Sequence, residues 1–152
     1  MPTSIVAERP DSTDARTLIA ELEAYLTPLY PAESQHGLSI EQLLREKVAF
    51  FVVRLDGAAA GCGGVQLFGT TYGEVKRMYI RPQYRGLGLA KRLLEHLEAY
   101  AREHNVKLLR LETGIQQSEA IGLYERMGFH CIPPFGAYQE DPLSRFYEKR
   151  IG

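Results

Sequence analysis

"QYRGLGLAKRLLEHL", residues 83–97, sets two glycines immediately before a strongly helical pattern. Gly86 and Gly88 carry no Cβ, so several backbone N–H groups at the head of the helix can converge on an anion without side-chain obstruction. The helix macrodipole adds roughly half a positive charge at the same end. Arg85, Lys91 and Arg92 can neutralise more negative charge. A glycine pair that merely permits close packing is the competing reading of these few residues taken alone. Further along, Ala90, Leu93, Leu94, Leu97 and Ala101 follow helical spacing, while Lys91, Arg92, Glu95, Glu98 and Arg102 mostly take other faces. Such a helix lays one apolar stripe on a sheet.

Outward from this helix the chain reads as mixed α/β. Upstream, "GEVKRMYI" (73–80) is a strand ended by Arg81 and Pro82. Before it, "VAFFVVRL" (48–55), the Asp56–Gly57 turn and "AAAGCGGVQLFG" (58–69) form a hairpin signal. "SIVAERP" (4–10) resembles a first strand, and residues 11–31 a helix with Asp11 or Ser12 as cap and Pro28 beyond its end. "YPAESQHGLS" (30–39) is a polar loop and "IEQLLRE" (40–46) a short helix. Downstream come the strand "VKLLRLET" (106–113), the helix "SEAIGLYERM" (118–127) closed by Gly128, and the strands "FHCI" (129–132) and "SRFYEKR" (144–150).

Bulk properties narrow the function classes. A chain of 152 residues, 45% hydrophobic, fits one globular domain over residues 1–152, and no repeat or low-complexity tract divides it. The formal net charge of -1 gives no overall footprint for nucleic acid. No run has the length of a membrane span, and the N-terminal residues lack the apolar core of a signal peptide, so a cytoplasmic protein without membrane partner is expected. Cys62 and Cys131 stand far apart with no second cysteine at metal spacing, which predicts two reduced thiols, no metal and no disulfide framework.

Two phosphate motifs can be tested directly. A dinucleotide fingerprint needs Gly or Ala three residues after Gly88, where Lys91 stands instead. A P-loop needs Gly-Lys-Ser or Gly-Lys-Thr, which is lacking at the required spacing. "QYRGLG", from Gln83 through Gly88, does match the pattern Q/R-x-x-G-x-G/A. With "EVKRMYIRP" before it and "AIGLYERMGF" after it, in that order, the chain from Val48 onward resembles the GCN5-related N-acetyltransferases.

The resemblance implies an α/β (α+β) fold: a mixed, mostly antiparallel twisted sheet flanked by helices, with "GEVKRMYI" and "VKLLRLET" parallel but splayed. It implies acetyl-CoA as cosubstrate in that opening. The pantetheine arm would pair with backbone along Met78, Tyr79 and Ile80. The pyrophosphate would meet the loop and helix head at Gln83, Arg85, Gly86, Leu87, Gly88, Leu89, Ala90 and Lys91. Many relatives carry an Asn after the second strand; here "TGIQQSEA" offers Gln116, Gln117 or Ser118 in its place, and Gln117 is the residue carried forward. Homodimers are frequent among similar enzymes.

The implied chemistry is direct acetyl transfer to an amine, which requires a base for the ammonium and an acid for the leaving thiolate. By the same resemblance, Glu74 is the candidate base, directly or through a water, and Tyr124 the acid. A backbone N–H near Met78 would face the developing oxyanion. For the acceptor, the loop offers Tyr30, Glu33, Ser34 and His36, the strand end Glu112 and Thr113, and the segment before the last strand Tyr138, Asp141 and Ser144. A carboxylate among them can hold an ammonium. The expected acceptor is the primary amine of a small molecule such as an amino acid or related metabolite. A protein or peptide amine, and a non-catalytic acyl-CoA-binding module, stand as alternatives.

Overall fold

A computed structural model describes residues 2–152. Strand β1 (Thr3–Ala7) leads into helix α1 (Thr13–Leu26), then α2 (Ile40–Arg45), β2 (Ala49–Leu55), β3 (Ala58–Phe68), β4 (Tyr72–Ile80), α3 (Leu89–Glu103), β5 (Leu108–Gly114), α4 (Ser118–Arg126), β6 (His130–Ile132) and β7 (Ser144–Arg150). Local chemistry explains most boundaries. Ser12, not Asp11, caps α1: its Oγ accepts from Ala15 N at 3.1 Å, while Asp11 accepts from Arg9. The helix stops at Leu26, earlier than the expected reach to residue 31, because Pro28 has no N–H with which to extend the ladder. Ser39 and Gln42 close a reciprocal capping box on α2. Asp56 and Gly57 both adopt positive φ, 52° and 84°, the geometry a tight β2–β3 hairpin requires.

The seven strands form one sheet in the order β1-β2-β3-β4-β5-β7-β6, antiparallel except for β4 and β5. That parallel pair is joined at only Gly73↔Leu109 and Glu74↔Arg110. Beyond those rungs the strands part, so β4 from Val75 to Ile80 has no strand partner on its β5 side. The expected splayed opening is present. A bulge sharpens it: Cys62 opposes Tyr79 and Gly64 opposes Lys76, leaving Arg77 and Met78 against the single residue Gly63. Arg77 takes φ 52° there, an uncommon conformation for a residue with a Cβ.

Each face of the sheet carries its own core. Leu93, Leu94, Leu97 and Ala101 of α3, with Ile121 and Tyr124 of α4, pack on Phe51, Val65, Val75, Leu109, Leu111 and Tyr147. Each fully buried leucine contributes about 2 kcal/mol relative to exposure. On the other face Leu18, Ile19 and Leu22 of α1 and Leu43 of α2 pack on Phe50, Val52, Cys62 and Tyr79. The two layers sandwich β4 and β5 at the point where they diverge, which is what positions the site. Among the described residues no helix is long and apolar enough to cross a membrane.

Candidate active site at the splayed strands

Two cavities meet in the opening between β4 and β5. The longer, of about 560 Å³, runs from the strand gap to the head of α3 and is lined by Met78, Tyr79, Ile80, Arg85, Gly86, Gly88, Leu89, Ala90, Lys91, Gln117 and Tyr124, among others. Gly86 and Gly88 take φ of 80° and 77°, and a Cβ at either would meet no atom within 4 Å, so their backbone faces open space. Helix α3 begins at Gly88 without a side-chain cap and with no acidic residue in its first turn. Lys91 stands in that turn, against the local dipole. Uncapped N–H groups beside basic side chains fit an anionic group such as a diphosphate. Arg85 flanks this end, its Nε donating to the Ile80 carbonyl at 3.1 Å and its guanidinium 5.9 Å from the Tyr25 ring.

The shorter cavity, of about 260 Å³, opens on the α1 side and is lined by Leu22, Glu23, Tyr30, Ser34, His36, Arg77, Met78, Glu112, Thr113, Gln117 and Tyr124, among others. Leu22, Met78, Gln117 and Tyr124 line both cavities. Tyr124 is buried, edge-on to Phe129 at 5.7 Å, and its hydroxyl has no protein hydrogen-bond partner among the described residues. Burial, then the charge of Glu112, raises its pKa, so the phenol stays protonated as a donor. Glu112 ends β5 facing the same space. Burial pushes its carboxyl above the usual range, although Ser144 Oγ donates to it at 2.7 Å and pulls the other way.

Glu74 sits elsewhere. It lines neither cavity, is 3% exposed, and its Oε2 accepts from Lys76 Nζ at 2.9 Å and from Tyr138 Oη at 2.5 Å. The cause is strand alternation: Val75 turns to the α3 core, so Glu74 and Lys76 turn to the opposite face, under the Phe135–Tyr138 segment. Tyr138, expected in the acceptor pocket, is likewise held against Glu74 and lines neither cavity. Its ring lies 5.6 Å from His36, whose Nε2 is 3.3 Å from Asp141. His36 and Asp141 thereby join the two loops over the acceptor cavity.

Of the other expected residues, Tyr30, Ser34, His36, Glu112 and Thr113 come together in the shorter cavity. Glu33 is exposed on a 3-10 turn (Ala32–Ser34) and stays outside it, because that turn aims only Ser34 inward. Gln83 and Leu87 are exposed and line neither cavity; Leu87 points away from the cleft between the two glycines. Sequence reasoning missed Leu22 and Tyr25 of α1, Tyr84, and Arg77. The signal for Leu22 and Tyr25 was hidden in the apolar stripe of α1. Arg77 stood in plain sight within "EVKRMYI", but only the bulge turns it into the pocket. Among the described residues no group of three His, Cys, Asp or Glu side chains is placed to hold a metal ion.

Comparison with known proteins agrees with this geometry. The family model described as "Acetyltransferase (GNAT) family" matches residues 16–129. A protein of Azospirillum brasilense named IAA acetyltransferase is 44% identical over 99% of this chain and 100% of its own length. An uncharacterized N-acetyltransferase of Bacillus subtilis, YsnE, is 34% identical over 89% of this chain and 91% of its own. Among solved structures, a putative acyl-CoA N-acyltransferase from Klebsiella pneumoniae superposes with a TM-score of 0.84 at 38% identity, covering 99% of this chain and 98% of that one. The family model spans most of the chain and the relatives match it over nearly their whole length, so this chain belongs to the GNAT family of N-acetyltransferases.

Proposed function

We propose that the protein transfers the acetyl group of acetyl-CoA directly to the primary amine of a small molecule, such as an amino acid or a related metabolite. The observation that carries this is the meeting of the two cavities at Tyr124, with a half-buried carboxylate, Glu112, on the acceptor side only. Bound in the longer cavity, acetyl-CoA supplies a thioester whose C–S bond breaks as the C–N bond to the amine forms.

The chain's own groups then have separable tasks. The head of α3 and Arg85 hold the diphosphate, and the unpaired side of β4 from Met78 to Ile80 offers backbone partners to the pantetheine arm. Glu112 binds the incoming ammonium and takes one of its protons, leaving a neutral amine able to attack. Its raised pKa makes it a stronger base than an exposed carboxylate. Tyr124 donates its hydroxyl proton to the departing sulfur, and the second nitrogen proton, acidified as the C–N bond forms, is lost through solvent and restores the Tyr124 phenol. Glu74, expected as the base, is assigned the support of Tyr138 and Lys76 beneath the pocket.

The shorter cavity's 260 Å³ favours a small acceptor over a polypeptide, since it lies below the roughly 300–1,000 Å³ of sites for drug-sized ligands. The relative named IAA acetyltransferase supports the same choice. The test is CoA-thiol release across a panel of small amines and peptides, with calorimetric CoA binding alongside. Amine-dependent release is expected with small amines. Tight CoA binding without release would overturn the reading in favour of a binding module, and release with peptides alone would overturn the small acceptor.

A further inference from the structure

We infer that the acceptor carries a carboxylate beside its amine, held by Arg77 and Tyr30 while Glu112 holds the ammonium. The inference rests on the acetyl-transfer reading and deepens its acceptor half. It starts from hydrogen-bonding groups that line the shorter cavity and keep a donor free for a ligand.

Arg77 enters from the β4 bulge with its side chain only 7% exposed. Its Nε donates to the Leu38 carbonyl at 2.8 Å and its Nη2 to Glu23 Oε1 at 2.6 Å, while Nη1 has no protein acceptor among the described residues. Nη1 lies against the Cα of Gly37, in space that any Cβ there would occupy. Tyr30 lies against the end of β5 and is 5% exposed. Its hydroxyl oxygen accepts from Gln116 N at 3.0 Å, but its own O–H finds no protein acceptor among the described residues. Gly114 leaves room for that hydroxyl in the same way. Two glycines thus admit two donors to one cavity.

Donors that face a cavity with no protein acceptor are free to bind a ligand, and a guanidinium makes its strongest hydrogen bonds to an anion. The uncommon φ of 52° at Arg77 adds a backbone cost at the same point, a pattern typical of functional sites. The same cavity holds the opposite demand. Glu112 receives one hydrogen bond, from Ser144, and has no cationic partner among the described residues, whereas Glu23 is paired with Arg77 and His36 lies beside Asp141. What remains open in the cavity is one donor edge of Arg77, whose charge Glu23 already meets, the Tyr30 O–H and one carboxylate, Glu112. An amino acid presents the complementary pair: a carboxylate for Arg77 Nη1 and Tyr30 Oη, and an ammonium for Glu112.

The test compares free L-amino acids with their carboxamides and with the decarboxylated amines as acceptors. The carboxamide's amine is the more easily deprotonated, so a preference for the acid cannot come from amine ionisation. Wild-type kcat/KM should favour the acid by about 10- to 100-fold, the value of a charge-assisted hydrogen bond in a buried site. Arg77→Gln should shrink that preference mainly through the amino-acid KM, with CoA affinity retained. Tyr30→Phe, which removes one atom, should shrink it partially and keeps the test decisive if Arg77→Gln fails to fold. Equal use of acid, amide and decarboxylated amine by the wild type would overturn the inference while leaving acetyl transfer intact. Turnover of none of them, with CoA still bound, would overturn both.

Discussion

Buried Glu74 and half-buried Glu112 should respond oppositely to the same isosteric change. Glu112→Gln keeps the shape and can still accept from Ser144, but it can no longer take a proton. Loss of a general base lowers turnover about 10²- to 10⁴-fold, or about 3–5 kcal/mol of barrier. Stability should move the other way. The folded Glu112 carboxyl has a raised pKa, so its stabilising contribution is complete below the ordinary carboxylate range and is lost as pH rises through the raised value. At neutral pH the ionised group is therefore a burden, and Glu112→Gln should melt at or above the wild-type temperature, the difference vanishing in acid. Glu74→Gln instead strips the partner from Lys76, whose side chain is 10% exposed and 2.9 Å away. Breaking such a buried pair costs about 3 kcal/mol, or about 6–12 °C in a domain of this size. Thiol-release kinetics at saturating amine and scanning calorimetry on both variants decide the matter. Full turnover by Glu112→Gln, or lost turnover with an unchanged melting temperature in Glu74→Gln, would refute the division of roles.

Other outcomes follow from single contacts. Tyr124→Phe should lose about 10²-fold in kcat while CoA affinity, measured by calorimetry, and melting temperature stay within error, because the hydroxyl has no protein partner to lose. Gly86→Val places a β-branched residue at φ 80° and should weaken CoA binding about tenfold or more; full affinity would count against diphosphate binding at this loop. Cys62 is buried and its thiol pushed up to about 12, whereas Cys131 is exposed, so at pH 8 the folded protein should react with one equivalent of thiol reagent and the unfolded chain with two.

Elements with a strong period or a special residue were readable from the sequence. The stripe from Ala90 to Ala101, the Asp56–Gly57 hairpin and the uncluttered glycines each obey a local rule, and the structure keeps all three. The gap between β4 and β5 came through family resemblance, since two rungs of parallel pairing leave no mark on composition. What escaped depends on which way a side chain turns. Glu74 and Glu112 are both carboxylates on one face of neighbouring strands, but Glu74 stands at the last rung, opposite Arg110, whereas Glu112 lies two residues on, where the strands have parted and the cavity opens. Leu22 and Tyr25 look like ordinary residues of an amphipathic helix until α1 is laid across the opening.

The four side chains common to both cavities predict a queue. A nucleotide lying against Met78 and Tyr124 in the longer cavity would complete a wall of the shorter one, so the acceptor should bind well only after it. Initial-rate plots should therefore intersect, the pattern of a ternary complex, and each ligand should tighten the other by the same factor. The acetylated product should leave first and the spent thiol last, which makes slow departure of the larger molecule a natural brake on the cycle.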